Sequence, residues 1–252
     1  MTLPLALGPV RPVPLSSINP VAQLAAIAIL LPVLMISGDL VTPSLVLAAE
    51  VCLLPAAGLG TPRALWSRAW PLLLGAAGVA WVNVAFGDGG WLSAVALAVR
   101  VLALALPGIL LVASTDPVRL ADALTLHWRV SARFAYGALA ALRLVPLLAA
   151  EWQTIRLARR ARGVEAGRNP VAHLRLFAGT AFTLLVGALR RGSRLATAMD
   201  ARGFDSGIPR TNARGSRLHP RDAAFVVGAA VVCAAAVSVS LATDAWTPVF
   251  GG

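Results

Sequence analysis

Lysine is absent from this sequence of 252 residues: all 22 basic side chains are arginine, set against only 11 acids. Charge of any sign is scarce, with 13% of residues charged and 58% hydrophobic. Soluble chains carry nearer a quarter charged residues, so the composition excludes an ordinary soluble globule and points to a membrane protein. Cysteine is scarce as well. Cys52 and Cys233 each sit in an apolar run, which excludes a disulfide framework and any Cys/His metal spacing. His127, His173 and His219 are too scattered to form a ligand set. No Gly-rich phosphate loop, GxSxG or pair of catalytic carboxylates occurs, which removes the common signatures of an enzyme.

What is present is a series of five long apolar segments, each near the length a membrane-crossing helix needs. Residues 21–37 follow Asn19-Pro20, a cap and first-turn proline, and contain Pro32. Residues 42–58 open at Thr42-Pro43 and carry Glu50; residues 71–86 lie among Trp70, Trp81 and Gly87. Residues 91–114 contain Arg100 and Pro107-Gly108, and residues 223–243 have no charge at all. Trp66, Trp70, Trp81, Trp91 and Trp246 fall near span ends, as in an interfacial aromatic belt. The first 20 residues lack a basic start followed by an apolar core and a cleavage site, so the first span is expected to be retained. Glu50 and Arg100 are ionisable groups inside spans, where an unpaired charge is costly, and a mutual ion pair is the expectation.

The positive excess is local. Residues 115–222 hold 18 arginines and 7 acids, while the remainder balances Arg11, Arg63, Arg68 and Arg100 against Asp39, Glu50, Asp88 and Asp244. A basic insert between spans is what the positive-inside rule expects of a cytoplasmic segment, and no DNA-recognition element accompanies it, which argues against nucleic acid. With Arg63, Arg68 and the insert inside, the N-terminus is cytoplasmic and the C-terminus outside.

Helix punctuation in the insert is legible. Asp116-Pro117 opens a short amphipathic helix ending near His127. Ser131 caps a long run through Leu142, Leu148 and Trp152 to Arg162-Gly163, with Pro146 expected to bend it. Asn169-Pro170 opens another, through Phe177, Leu185 and Leu189 to Arg202-Gly203. Residues 204–222 are rich in Gly, Pro, Arg and Ser and read as a connector. Both long helices end in the same tripeptide, Ala161-Arg162-Gly163 and Ala201-Arg202-Gly203. Glycine is the usual left-handed stop and arginine complements the negative helix end. A guanidinium fork on a helix end is also a plug for a groove on a partner.

The order and spacing of several further residues resemble the transmembrane T component of energy-coupling factor transporters, the EcfT/CbiQ family. They are Asn19-Pro20, Ser114-Thr115-Asp116-Pro117 with Leu124, Phe134-Ala135-Tyr136, and Ala141-Leu142-Arg143-Leu144-Val145-Pro146. Glu151, Ile155 and Ala161-Arg162-Gly163 follow, then Met199-Asp200-Ala201-Arg202-Gly203-Phe204. The resemblance implies an all-α integral membrane protein of about five transmembrane helices with one short and two long cytoplasmic coupling helices. It divides the chain into a four-span bundle (1–114), a coupling region (115–203), a connector (204–222) and a last span (223–252).

Arg162 and Arg202 would each dock in one of two ATP-binding cassette subunits, which hold ATP and magnesium; this chain would bind no cofactor or metal and have no catalytic residue. Leu142, Leu148, Phe177, Leu185 and Leu189 would pass movement to a substrate-binding membrane subunit, the S component, for uptake of a vitamin or transition metal across a bacterial plasma membrane. A competing reading is an integral membrane enzyme acting on a phosphorylated lipid or isoprenoid. Against it, Asp116, Asp122, Glu151, Glu165, Asp200, Asp205 and Asp222 are dispersed, with no DxxD pair. A self-contained secondary transporter would show an internal repeat, and none is seen.

Overall fold

The computed structural model describes residues 13–87, 89–167, 169–203 and 215–247. Arg11, Asp88, Phe204, Asp205, Arg214 and the first part of the expected connector lie outside the described residues, as do the side chains of Arg63 and Arg68. After a short turn of 3-10 helix at Pro14–Ser17 come eight α-helices: α1 (Pro20–Ile36), α2 (Val41–Leu53), α3 (Pro62–Phe86), α4 (Gly90–Ser114), α5 (Pro117–His127), α6 (Ala132–Ala161), α7 (Pro170–Ala201) and α8 (Pro220–Ala242).

Local chemistry explains most boundaries. The side chains of Asn19, Asp116 and Asn169 accept hydrogen bonds from the free N–H groups of Val21 (3.0 Å), Val118 (2.8 Å) and Val171 (2.9 Å), each just before a first-turn proline. Ser131 stands at the N-cap of α6, but its side chain makes no cap bond. The helix runs through Pro146 without a break. At α8 the boundary moves: the helix starts at Pro220, not residue 223, because Asp222 accepts the N–H of His219 at 2.7 Å in a capping box. Similarly, α3 begins at Pro62, so the stretch bearing Arg63 and Arg68 is helical where a loop was expected.

Five described helical stretches are long and apolar enough to cross a membrane: Ala69–Phe86 within α3, together with α4, α6, α7 and α8. The number equals the expected one, but the members differ. The expected first and second spans are the 17-residue α1 and the 13-residue α2, which at 1.5 Å per residue reach about 26 and 20 Å. The long helices of the basic insert meet the length and composition requirement instead.

The described residues form two compact units, one within 129–203 and the other of 13–128 with 215–247. The first contains α6 and α7, and the second the remaining helices. Helix α5 therefore falls in the second unit, apart from α6 and α7. It buries Ala121, Asp122 and Ala123, and Arg119 Nη1 donates to the Ser16 carbonyl at 2.5 Å.

In the bundle, α1, α2, α4 and α8 meet over Leu30, Leu34, Val46, Ala103, Cys233 and Ala236; the alanines allow close approach. A second cluster gathers Leu15, Leu54, Leu59, Leu106 and Leu110. Buried polar groups tie the same helices. Gln23 Oε1 accepts from Ser114 Oγ at 3.0 Å and its amide donates to the Leu15 carbonyl at 3.1 Å. Asp222, 3% exposed, also accepts the backbone N–H of Asn19 at 2.7 Å, joining the start of α8 to the start of α1. Near the other end of α1, Asp39 Oδ2 accepts from Thr42 N–H at 2.7 Å and Ser240 Oγ at 2.8 Å.

Glu50 and Arg100 do not form the expected ion pair. Arg100 donates through Nη2 to the Met35 carbonyl, whereas both carboxyl oxygens of Glu50 are buried with no hydrogen-bond partner among the described residues. The two positions project from different helices, and the spacing of charges along a sequence carries no information on which helix faces meet.

Candidate functional site

The unit of α6 and α7 carries the two arginine-ended tripeptides. At the end of α6, Arg162 is the C-cap, and Gly163 takes φ +73°. The N–H of Gly163 then donates to the Arg160 carbonyl at 2.9 Å and that of Val164 to Arg159 at 3.0 Å. This pair of bonds satisfies the last carbonyls of the helix and needs the left-handed residue in between. At the end of α7, Arg202 is again the C-cap, Gly203 takes φ +72°, and its N–H donates to Asp200 at 2.9 Å. Ala161, Arg162, Gly163, Ala201 and Arg202 are exposed and Gly203 is half-buried. The same local mechanism thus presents a guanidinium beyond the last turn of each helix.

The two ends are far apart. Arg162 is tied to the first turns of α7 by the short segment 163–169, while α7, with 32 residues, extends about 48 Å at 1.5 Å per residue. Arg202 stands at its far end, about 40 Å from Arg162.

Between them the helices are joined by few but specific contacts. Arg191 Nη1 donates to Glu151 Oε2 at 2.6 Å, and the rings of Trp152 and Phe177 meet edge to face at 5.3 Å. Arg159 Nη1 donates to the Leu176 carbonyl at 3.1 Å. The long side chains lie over glycines: a Cβ at Gly179 would come within 3.2 Å of Arg159 Nη1, and one at Gly187 within 3.4 Å of Glu151 Oε1. Contacts pass down α7 as they pass up α6, so the helices are antiparallel where they touch.

Sequence reading singled out the arginines but missed the Glu151–Arg191 tie. One signal was available: Glu151 is the only acid between Asp122 and Glu165 in a stretch full of arginine. Its partner, forty residues on, had no local signature.

Leu142, Phe177, Leu185 and Leu189 are 41%, 59%, 55% and 62% exposed, and Leu148 is half-buried, so this unit leaves much of its apolar surface uncovered. Glu50 and Arg100 belong to the other unit and play no part in the helix pair. Among the described residues no group of three His, Cys, Asp or Glu side chains is placed to hold a metal ion.

Fold and site together define an all-α integral membrane protein in which a basic, antiparallel pair of arginine-ended helices is added to an apolar bundle. The profile of the CbiQ family, described as cobalt transport protein, matches residues 13–212, and the chain belongs to that family. It is similar to energy-coupling factor transporter transmembrane proteins EcfT of three bacteria. The protein from Lacticaseibacillus paracasei is 36% identical over 49% of this chain and 50% of its own length. That from Limosilactobacillus fermentum is 33% identical over 53% of each, and that from Exiguobacterium sibiricum 33% identical over 45% of this chain and 46% of its own. The chain spans about half the length of the curated relatives it matches.

Proposed function

We propose that this chain is the transmembrane coupling subunit of an energy-coupling factor importer. In this reading α6 and α7, although long and apolar enough to cross a membrane, stay on its cytoplasmic side. Arg162 and Arg202 enter grooves on two cytoplasmic ATP-binding cassette subunits, and the exposed leucines and Phe177 of α6 and α7 contact a substrate-binding membrane subunit. ATP and magnesium are held by the ATPases, and this chain contributes no catalytic group and no cofactor site. The N-terminus lies in the cytoplasm and the C-terminus outside. The cargo is a vitamin or a transition metal ion, selected by the substrate-binding subunit.

The observation that carries the reading is the spacing of the two arginine ends. Plugs about 40 Å apart on one helix pair suit two separate grooves better than one. ATP-driven approach of the two ATPases would pull on both ends, and helices held by a handful of contacts can rotate against each other in response. The exposed apolar surface then changes shape under the neighbouring subunit.

Co-purification of the tagged chain with the products of its chromosomal neighbours tests this, comparing wild type with Arg162→Glu, Arg202→Glu. Wild type is expected to bring down two ATPases and a small membrane subunit. The double variant is expected to lose the ATPases, since an unpaired charge facing a buried partner costs about 2 to 5 kcal/mol. ATPases retained by the variant would refute the assignment of the arginines, and their absence from wild type would refute the coupling role.

A further inference from the structure

Within the helix-pair unit, next to the α6–α7 turn, lies a cavity of about 510 Å³ that shares only Phe177 with the residues assigned to the coupling role. Its wall includes Arg156, Arg159, Arg160 and His173, and its floor Trp152 and Phe177. Arg162 itself does not line it, although Arg160 and Val164 on either side of that residue do, so the cavity adjoins the docking end.

The charges do not cancel. Arg160 is occupied by Glu165, Nε to Oε1 at 3.1 Å, and among the described residues that carboxylate is the only one in the wall. Arg159 spends one N–H on the Leu176 carbonyl and keeps the rest of its guanidinium donors. Arg156 has no hydrogen-bond or ion-pair partner among the described residues. Two guanidinium groups therefore share a concave site without a counter-ion, and planar forks of this kind match phosphate oxygens.

The rest of the wall selects what carries the phosphate. A free inorganic ion would gain nothing from an edge-to-face Trp152–Phe177 floor with Leu176 beside it. An amphiphile would, because its glycerol and first acyl carbons would lie on the rings while the phosphate met the arginines. A carboxylate on a protein partner would satisfy the arginines but leave the aromatic floor without a counterpart.

We infer that this cavity binds the phosphate head group of an anionic membrane phospholipid, with Arg156 and Arg159 on the phosphate and Trp152 and Phe177 under the glycerol and proximal acyl carbons.

The test uses the full chain in mild detergent and native mass spectrometry with titrated phosphatidylglycerol, phosphatidylcholine, glycerol 3-phosphate and inorganic phosphate. Wild type is expected to retain phosphatidylglycerol in preference to phosphatidylcholine and to bind neither water-soluble phosphate at the same concentration. Arg156→Gln should weaken phosphatidylglycerol binding about tenfold, the loss of one charge-assisted hydrogen-bonded contact. Because Arg156 holds no other group, that variant keeps its fold, which an unchanged thermal midpoint verifies. Arg175→Gln, which removes an exposed charge outside the cavity, should leave binding intact.

Equal loss in both variants would mean diffuse attraction and would overturn the site. Equal binding of the water-soluble phosphates, with the same Arg156 dependence, would overturn the lipid as ligand. Unchanged lipid binding in Arg156→Gln, with reduced recovery of ATPases, would replace the lipid with an acidic protein partner. The lipid-binding readouts do not depend on whether Arg162 and Arg202 dock as proposed.

Discussion

The bundle and the helix pair solve the problem of arginine and carboxylate in a membrane protein in opposite ways. In the bundle, buried polar groups are tied to backbone and to one another, with Glu50 an exception: Asp222 holds two backbone N–H groups at 2.7 Å each, and Gln23 joins the start of α1 to Ser114 at the end of α4. In the helix pair, charges are many and exposed, and side-chain ties between the helices are sparse. Buried ties fix one arrangement, because breaking any of them strands a polar group away from water. Exposed ones leave the arrangement open to partners. Under the proposed coupling role, the difference would separate a scaffold from a moving part.

Three substitutions sharpen or break that contrast. Asp222→Ala should have the largest effect, about 3 kcal/mol, because it orphans the N–H groups of Asn19 and His219 inside the bundle. The thermal midpoint in detergent, followed by tryptophan fluorescence, should fall; an unchanged midpoint would mean that these contacts do not hold α8 to α1. Glu50→Leu should act in the opposite direction. Removing two buried oxygens without partners and filling the space with apolar atoms should raise stability by about 1 to 2 kcal/mol. A lower midpoint would show that the carboxyl has a role the bundle needs.

Gly163→Ala should have the smallest effect, about 1 kcal/mol, and a local one. A Cβ there meets nothing within 4 Å, so the cost is the left-handed backbone at φ +73° alone. Faster hydrogen exchange at the end of α6 is expected, with the midpoint of the whole protein unchanged. A global loss of stability would break the comparison, since it would make the helix pair as tightly coupled as the bundle.

How much of this was legible beforehand follows the range of the interactions. The starts of α1, α5 and α7 and the stops of α6 and α7 were readable, because a cap acts within three residues of its own position. The limits of α3 and α8 were misplaced: apolarity marks the membrane-compatible part of a helix, whereas a helix continues wherever its backbone is satisfied, as Pro62 and the His219–Asp222 box show. The arginine ends were legible for the same local reason. The aromatic and basic cavity was not, since it needs Arg156 and Arg159 of one helix to face Phe177 of another.

By itself the sequence determined the class of molecule, the number of long apolar helices and the two Arg-Gly stops, all of which depend on composition and on neighbours along the chain. Tertiary structure alone decided that α5 joins the bundle, that Glu151 finds Arg191, and that Glu50 and Arg100 stay apart. Those outcomes depend on which faces meet, as with Asn19 and Asp222, which lie 203 residues apart in the sequence and are hydrogen-bonded in the fold.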